Sequence, residues 1–214
     1  MQICPRSEEF DQIADPARYK VDSIAGWKLR DTKTNPMTMN ESSCSASPSA
    51  EQHRQAAPKS LTFAVITISD TRTLSTDKSG QTLVDAMQQV GHELSDRRIV
   101  PDEVSQIASA VSEVCGNGNV DVVLTTGGTG ISPRDRTPEA VQPMLEVELP
   151  GFGELFRTLS YQEIGAAAML SRAFAGRIGS TLIFCLPGST NAVRLAVEKL
   201  LVPELPHLVH HSRG

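Results

Sequence analysis

Asp121-Val122-Val123-Leu124-Thr125-Thr126-Gly127-Gly128-Thr129-Gly130-Ile131-Ser132-Pro133-Arg134-Asp135-Arg136-Thr137-Pro138-Glu139-Ala140 passes from an apolar, β-branched run into a loop with three glycines and then into a helix start. The run suits a strand buried on both faces. Thr137 is a fitting N-cap, and Pro138 suits the first helical position, where its missing N–H is no loss. Strand, glycine loop and helix in that order let backbone amides converge on an anion, helped by the positive end of the helix. Arg134 and Asp135 lie in the same loop. An arginine there can grip phosphate with a planar fork, and a carboxylate beside phosphates commonly holds a metal ion. A tight turn carrying a surface Arg–Asp pair is the plainer reading of the same residues.

Two further units repeat the pattern. Leu61 to Ser69 is a dense β-forming run, followed by a polar loop from Asp70 to Gly80 and a helix over Gln81–Val90 that stops at Gly91. Ser180 to Leu186 is another apolar strand, running through Pro187-Gly188-Ser189 into a helix capped by Ser189 or Thr190. Between them, His92 to Val100 reads as an outer strand, and Pro101-Asp102-Glu103 opens a helix that Asp102 is placed to cap. Pro143 should shorten the helix that starts at Pro138. Glu148 to Phe156 reads as a turn into a short helix, and Ile164 to Phe174 as a buried helix ending at Gly176. The fold class is therefore α/β, a doubly wound three-layer α/β/α arrangement around a mostly parallel sheet, with right-handed crossovers. Ligands in such folds sit beyond the carboxyl ends of the strands, where the three loops meet. No Gly-x-Gly-x-x-Gly follows the first strand and no Gly-x-x-x-x-Gly-Lys-Ser/Thr occurs, which argues against Rossmann and Walker nucleotide sites.

Residues 1–59 differ from the rest. Asn35 to Lys59 is rich in Ser, Ala, Pro, Asn and Gln and cannot bury enough apolar area to offset chain entropy, so 1–59 is expected to be a disordered extension and 60–214 the folded domain. Met37 and Met39 offer a later translation start. A net charge of −5 argues against nucleic acid as a partner, and no apolar run approaches the roughly 20 residues of a membrane span, so a cytoplasmic location is expected. Of the four cysteines, Cys115 and Cys185 read as buried free thiols, and no zinc or disulfide spacing occurs. His207, His210 and His211 read as a solvated tail.

Ile68-Ser69-Asp70-Thr71, Asp77-Lys78-Ser79-Gly80, Val100-Pro101-Asp102-Glu103, Thr125 through Asp135, Thr137-Pro138-Glu139-Ala140, Leu159-Ser160-Tyr161-Gln162-Glu163-Ile164-Gly165, Leu170-Ser171-Arg172-Ala173 and Leu186-Pro187-Gly188-Ser189 together resemble the molybdenum cofactor biosynthesis protein B and molybdopterin adenylyltransferase family. The resemblance spans about Leu61 to His211. It implies a homo-oligomer, trimer or hexamer, that binds molybdopterin and, in active members, Mg2+ and ATP. The implied reaction is adenylyl transfer from ATP to the molybdopterin phosphate, upstream of a molybdenum-insertion enzyme. It also turns Asp102 from a cap into a catalytic candidate: Asp102 and Asp135 match the carboxylates that hold Mg2+ and order the triphosphate. Gly127, Gly128, Thr129 and Gly130 are implied as the phosphate cradle. Asp70, Ser171, Arg172, Pro187, Gly188 and Ser189 are implied at the pterin end, with Ser79, Gly80, Thr126 and Arg134 as further substrate contacts. The Leu159–Gly165 stretch and Pro143 look closer to the protein B branch, for which a non-catalytic molybdopterin-binding role is the alternative.

Overall fold

The computed structural model describes residues 58–213. The expected extension over 1–59 lies almost wholly outside the described residues, as do Cys4 and Cys44. Six strands form one sheet: β1 (Thr62–Ile68), β2 (Glu93–Val100), β3 (Val122–Thr126), β4 (Val147–Glu148), β5 (Phe174–Ile178) and β6 (Thr181–Leu186). Their spatial order is β2-β1-β3-β6-β5-β4. β2, β1, β3 and β6 run parallel, whereas β5 is antiparallel to both β6 and β4.

The central strands are apolar on both sides, and their two-residue period assigns each side chain to one face. Phe63, Val65, Leu124, Phe184 and Leu186 pack with Leu83 and Met87 of α1 (Lys78–Gln89) and with Phe152 and Phe156 of α4 (Pro150–Ile164). Ala64, Ile66, Ile68, Val123, Ile183 and Cys185 face the other way, against Ile107 and Val111 of α2 (Val104–Gly116) and Val141 of α3 (Thr137–Val141). Fully burying one such Leu, Ile or Phe contributes about 1.5–3 kcal/mol, so helix layers on both faces follow from the strands' composition. Next to α1, α5 (Thr190–Ala196) continues through a π-helical turn into α6 (Val202–Ser212). No helix among the described residues is long and apolar enough to cross a membrane.

Several expectations are corrected. The first helix begins at Lys78, three residues early, because the Asp77 carboxylate accepts from the Gly80 amide and caps it. Thr137 is inside α3 and Asp102 is not the cap of α2; the N-cap positions are Arg136 and Glu103, neither with a side-chain cap bond. α4 is long, 15 residues. It ends where Gly165 takes φ 62, a left-handed conformation costly for other residues. The buried helix expected over 164–174 is instead an exposed 3-10 stretch, Gly165–Leu170, with Met169 79% exposed, followed by β5. Gly176, read as a helix stop, lies in β5 where β4 passes so close that a Cβ would come 2.5 Å from the Val147 carbonyl oxygen. The three C-terminal histidines are part of α6, whose Leu205 and Val209 are buried. Pro143 does shorten the central helix, which passes into a 3-10 turn at Gln142. Cys185 is fully buried and Cys115 half-buried; burial pushes their thiols up to about 12 and about 11.

Candidate functional site

Since β2, β1, β3 and β6 are parallel, the loops after all four emerge at one edge of the sheet. Strand order reverses beside β1, where such folds bind ligands.

The glycine loop after β3 is held from three sides. The Gly127 amide donates to the Leu186 carbonyl at 3.0 Å, continuing the β3–β6 ladder. The buried Thr137 hydroxyl donates to the Gly127 carbonyl at 2.8 Å, and the Thr137 amide donates to the Gly128 carbonyl at 3.0 Å. Gly127 and Gly128 have φ of 109 and 63, and a Cβ on Gly127 would sit 2.3 Å from the Ile68 carbonyl oxygen. Glycine is needed there for both conformation and space. Arg172 clamps the far end. Its Nε donates to the Gly130 carbonyl at 2.6 Å, its Nη2 to the Asp135 carbonyl at 2.9 Å, and its backbone amide to the Thr129 carbonyl at 2.8 Å. Glu139 accepts from Arg172 Nη1, and this bond holds the Glu139 carboxyl below its usual range.

Asp102 and Asp135 flank this loop. A Cβ on Gly128 would lie 3.0 Å from Asp102 Oδ1, and one on Gly130 2.7 Å from Asp135 Oδ2. Asp135 Oδ2 accepts from the Ser132 amide at 2.7 Å. No donor among the described residues reaches the Asp102 carboxylate. Partial burial pushes its pKa up, and the negative charges of Asp70, Asp135 and Glu103 push the same way against the opposing Arg134. Asp70 accepts from Arg134 Nη2 and from the Asp102 amide at 3.1 Å; these bonds, Arg134's first, hold its carboxyl below the usual range. Arg134 Nη1 also donates to Glu103 at 3.1 Å.

Of the anticipated site residues, Asp70, Asp102, Gly127, Gly128, Gly130, Arg134, Asp135, Arg172, Pro187, Gly188 and Ser189 all belong to the loops of this edge or to the clamp. Ser171 follows as Arg172's neighbour, its Oγ accepting from the Ala173 amide at 3.3 Å. Four residues are set behind the rim instead. Thr126 is buried and donates to the Pro187 carbonyl at 2.9 Å. Thr129 is 1% exposed, so its hydroxyl is packed inside. Ser79 and Gly80 are fully packed; a Cβ on Gly80 would fall 2.0 Å from Asp77 Oδ2 and 2.6 Å from Thr67 Oγ1.

Those two residues reveal a support that sequence reasoning passed over. Buried Asp77 accepts from the Gly80 amide, Thr67 and Ser79, and pairs with Arg97 and Arg72. Burial raises its pKa, and the hydrogen bonds outweigh that and leave it lowered. Arg72 in turn donates to the Gly188 carbonyl at 3.1 Å, joining the loops after β1 and β6. An Asp three residues before a Gly at a helix start was the available signal, a capping pattern.

Among the described residues no group of three or more His, Cys, Asp or Glu forms a ready-made ion cage. Of the rim carboxylates, Asp70 and Glu103 are engaged by Arg134, which leaves Asp102 and Asp135. Mg2+ typically takes one or two carboxylates and completes its octahedron with phosphates and water. Asp102, without a donor and crowded by other carboxylates, suits that cation.

The chain matches, over residues 64–207, a family described as "Probable molybdopterin binding domain". It is 49% identical over 162 residues to molybdenum cofactor biosynthesis protein B of Halalkalibacterium halodurans, covering 75% of this chain and 95% of that one. A solved molybdenum cofactor biosynthesis protein B is 51% identical, with TM-score 0.71 over 73% of this chain and 98% of that one. The tungsten cofactor synthesizing protein MoaB of Pyrococcus furiosus is 40% identical, with TM-score 0.67 over 74% and 100% of the two chains. With its glycine loop, flanking carboxylates and strand order in place, the chain belongs to the molybdopterin-binding family of molybdenum cofactor biosynthesis proteins.

Proposed function

We propose that this protein acts in molybdenum cofactor biosynthesis, transferring an adenylyl group from Mg-ATP to the terminal phosphate of molybdopterin. The observation that carries the reading is the pair of carboxylates, Asp102 packed beside Gly128 and Asp135 beside Gly130, on a loop where these two glycines are only half-buried. A molybdopterin phosphate oxygen attacks the α-phosphorus of ATP, a P–O bond forms, the bond to the bridging oxygen breaks, and pyrophosphate leaves with the electron pair. Phosphate attack on phosphate requires alignment and charge neutralisation more than a protein nucleophile. The Gly127 amide is already bonded to Leu186, so within Gly127–Gly130 the half-buried Gly128 and Gly130 amides are the ones that orient phosphate oxygens, with Arg172 fixing the loop beneath them. Arg134, at present on Asp70 and Glu103, is the cation in reach of a phosphate at the rim. Pro187, Gly188 and Ser189 border the pterin end, beside a cavity of about 300 Å3 lined by Ser189 and Asn191. Asp102 and Asp135 would hold Mg2+, which when bound offsets the charge of the triphosphate and the departing pyrophosphate. The protein works in the cytoplasm as a trimer or hexamer and passes its product to a molybdenum-insertion enzyme.

Purified full-length protein should release pyrophosphate only when ATP, Mg2+ and molybdopterin are all present. Binding of molybdopterin without release would leave the non-catalytic pterin-binding reading. Release with ATP alone would point to a pyrophosphatase instead.

A further inference from the structure

Half-buried arginines among the described residues meet carboxylates almost without exception: Arg72 and Arg97 on Asp77, Arg98 on Asp96 and Glu113, Arg172 on Glu139, Arg177 on Glu146. Arg157 of α4 is the exception. No carboxylate among the described residues lies in ion-pair range of it, and its one hydrogen bond there runs from Nη1 to the Ala173 carbonyl at 3.1 Å. A partly desolvated guanidinium without a counter-charge is unfavourable, and the bond through Nη1 leaves its Nε–Nη2 edge unused. That edge is the one that grips an oxyanion with two parallel hydrogen bonds.

The surroundings keep space for this. The guanidinium lies over Gly153, where a Cβ would come 3.0 Å from both Nη atoms and 2.8 Å from the Ala173 carbonyl oxygen. A glycine inside a helix costs about 0.5–1 kcal/mol relative to alanine, and here it leaves room for the arginine head. Arg157, Arg172, Pro138, Leu149 and Phe174 line one cavity of about 310 Å3. Glu148 and Glu154 stand at its exposed wall, out of ion-pair reach of Arg157.

We propose that this cavity is a second anion site, taking one small oxyanion group, carboxylate or phosphate, on the Nε–Nη2 edge of Arg157. The site lies behind the glycine loop and is joined to it by the chain itself. Ala173, which Arg157 holds, follows Arg172, whose amide and side chain secure Thr129, Gly130 and Asp135. An anion in the cavity therefore steadies the base of the clamp. The inference does not depend on which reaction the rim performs.

The test is calorimetric titration of the full-length protein with inorganic phosphate and, separately, with acetate, repeated on Arg157→Gln and on Arg134→Gln. At least one anion should bind in a step that Arg157→Gln weakens about tenfold or more, the loss expected for charge-assisted bonds, and that Arg134→Gln leaves unchanged. The anion that binds identifies the class. No measurable step, or a step lost only in Arg134→Gln, overturns the proposal. As a check free of any folding defect, the unmutated protein is treated with phenylglyoxal and its arginines are mapped by peptide mass. The anion must protect Arg157, and undiminished labelling of Arg157 at saturating anion overturns the proposal as well.

Discussion

Asp102 Oδ1 and Gly128 are packed so tightly that a methyl group on the glycine would sit 3.0 Å from the oxygen, and 2.4 Å from Thr137 Oγ1. Gly128 also has φ 63. Gly128→Ala should therefore cost about 2 kcal/mol or more of stability through the left-handed backbone and the clash, and should displace Asp102. Urea unfolding measures the first effect. A midpoint equal to the parent's would refute the packing described.

Asp102→Asn separates function from stability. The folded carboxyl has its pKa raised, so the folded state holds that proton more tightly than the unfolded chain, and stability falls as pH rises through this window. Removing the charge should raise the melting temperature at pH 7, while lowering pyrophosphate release by about 10²-fold or more. A lower melting temperature at pH 7 would contradict the crowding of negative charge around Asp102.

The acid limb of the activity profile should follow the same group. With Asp102 required in its ionised form to take up Mg2+, activity at subsaturating Mg2+ should fall at a pH above that of an ordinary carboxylate. Asp70→Asn removes one of the repelling charges and should move the limb to lower pH. The profile of initial rate against pH decides; a limb that stays in place would exclude Asp102 as the titrating residue.

Asp135→Asn keeps an oxygen for the Ser132 amide, so the loop should hold its shape. Pterin affinity should stay within a few-fold, and turnover should drop about 10²-fold or more. Fluorescence titration with molybdopterin alongside the pyrophosphate assay separates the two effects. Unchanged turnover would remove Asp135 from the mechanism.

Asp77→Asn should be among the most destabilising single changes, about 3 kcal/mol, because it leaves Arg97 and Arg72 short of their shared buried counter-ion. Asp77 has a folded pKa below its unfolded one, so its contribution is present above the unfolded carboxylate value and lost as pH falls through the folded one. The parent's excess stability over the variant, measured by denaturant at several pH values, should therefore shrink on acidification. A pH-independent difference would count against the ion pairs.

The amino-acid sequence by itself determined the parallel half of the sheet and the loops at its edge. Strands such as Phe63–Ile68 and Val122–Thr126 are apolar or β-branched at every position, a composition that suits a sheet covered on both faces, and Gly127 and Pro187 mark where two of the loops begin while Ser189 caps the helix that follows. Local signals of that kind do not depend on distant partners. Tertiary structure alone decided the antiparallel edge, where Gly176 reads as a helix stop until Val147 is seen to pass beside it. It also decided which polar residues face the rim. Thr126, Thr129 and Ser79 carry the same groups as residues at the rim, yet their hydroxyls point into the packed interior. Likewise Arg157 and Arg172 look alike in sequence, and what separates them is Glu139, which lies across from one guanidinium and not the other. Where a polar side chain points, and which charge answers it, depends on chain segments dozens of residues away, and spacing along the backbone carries no record of that.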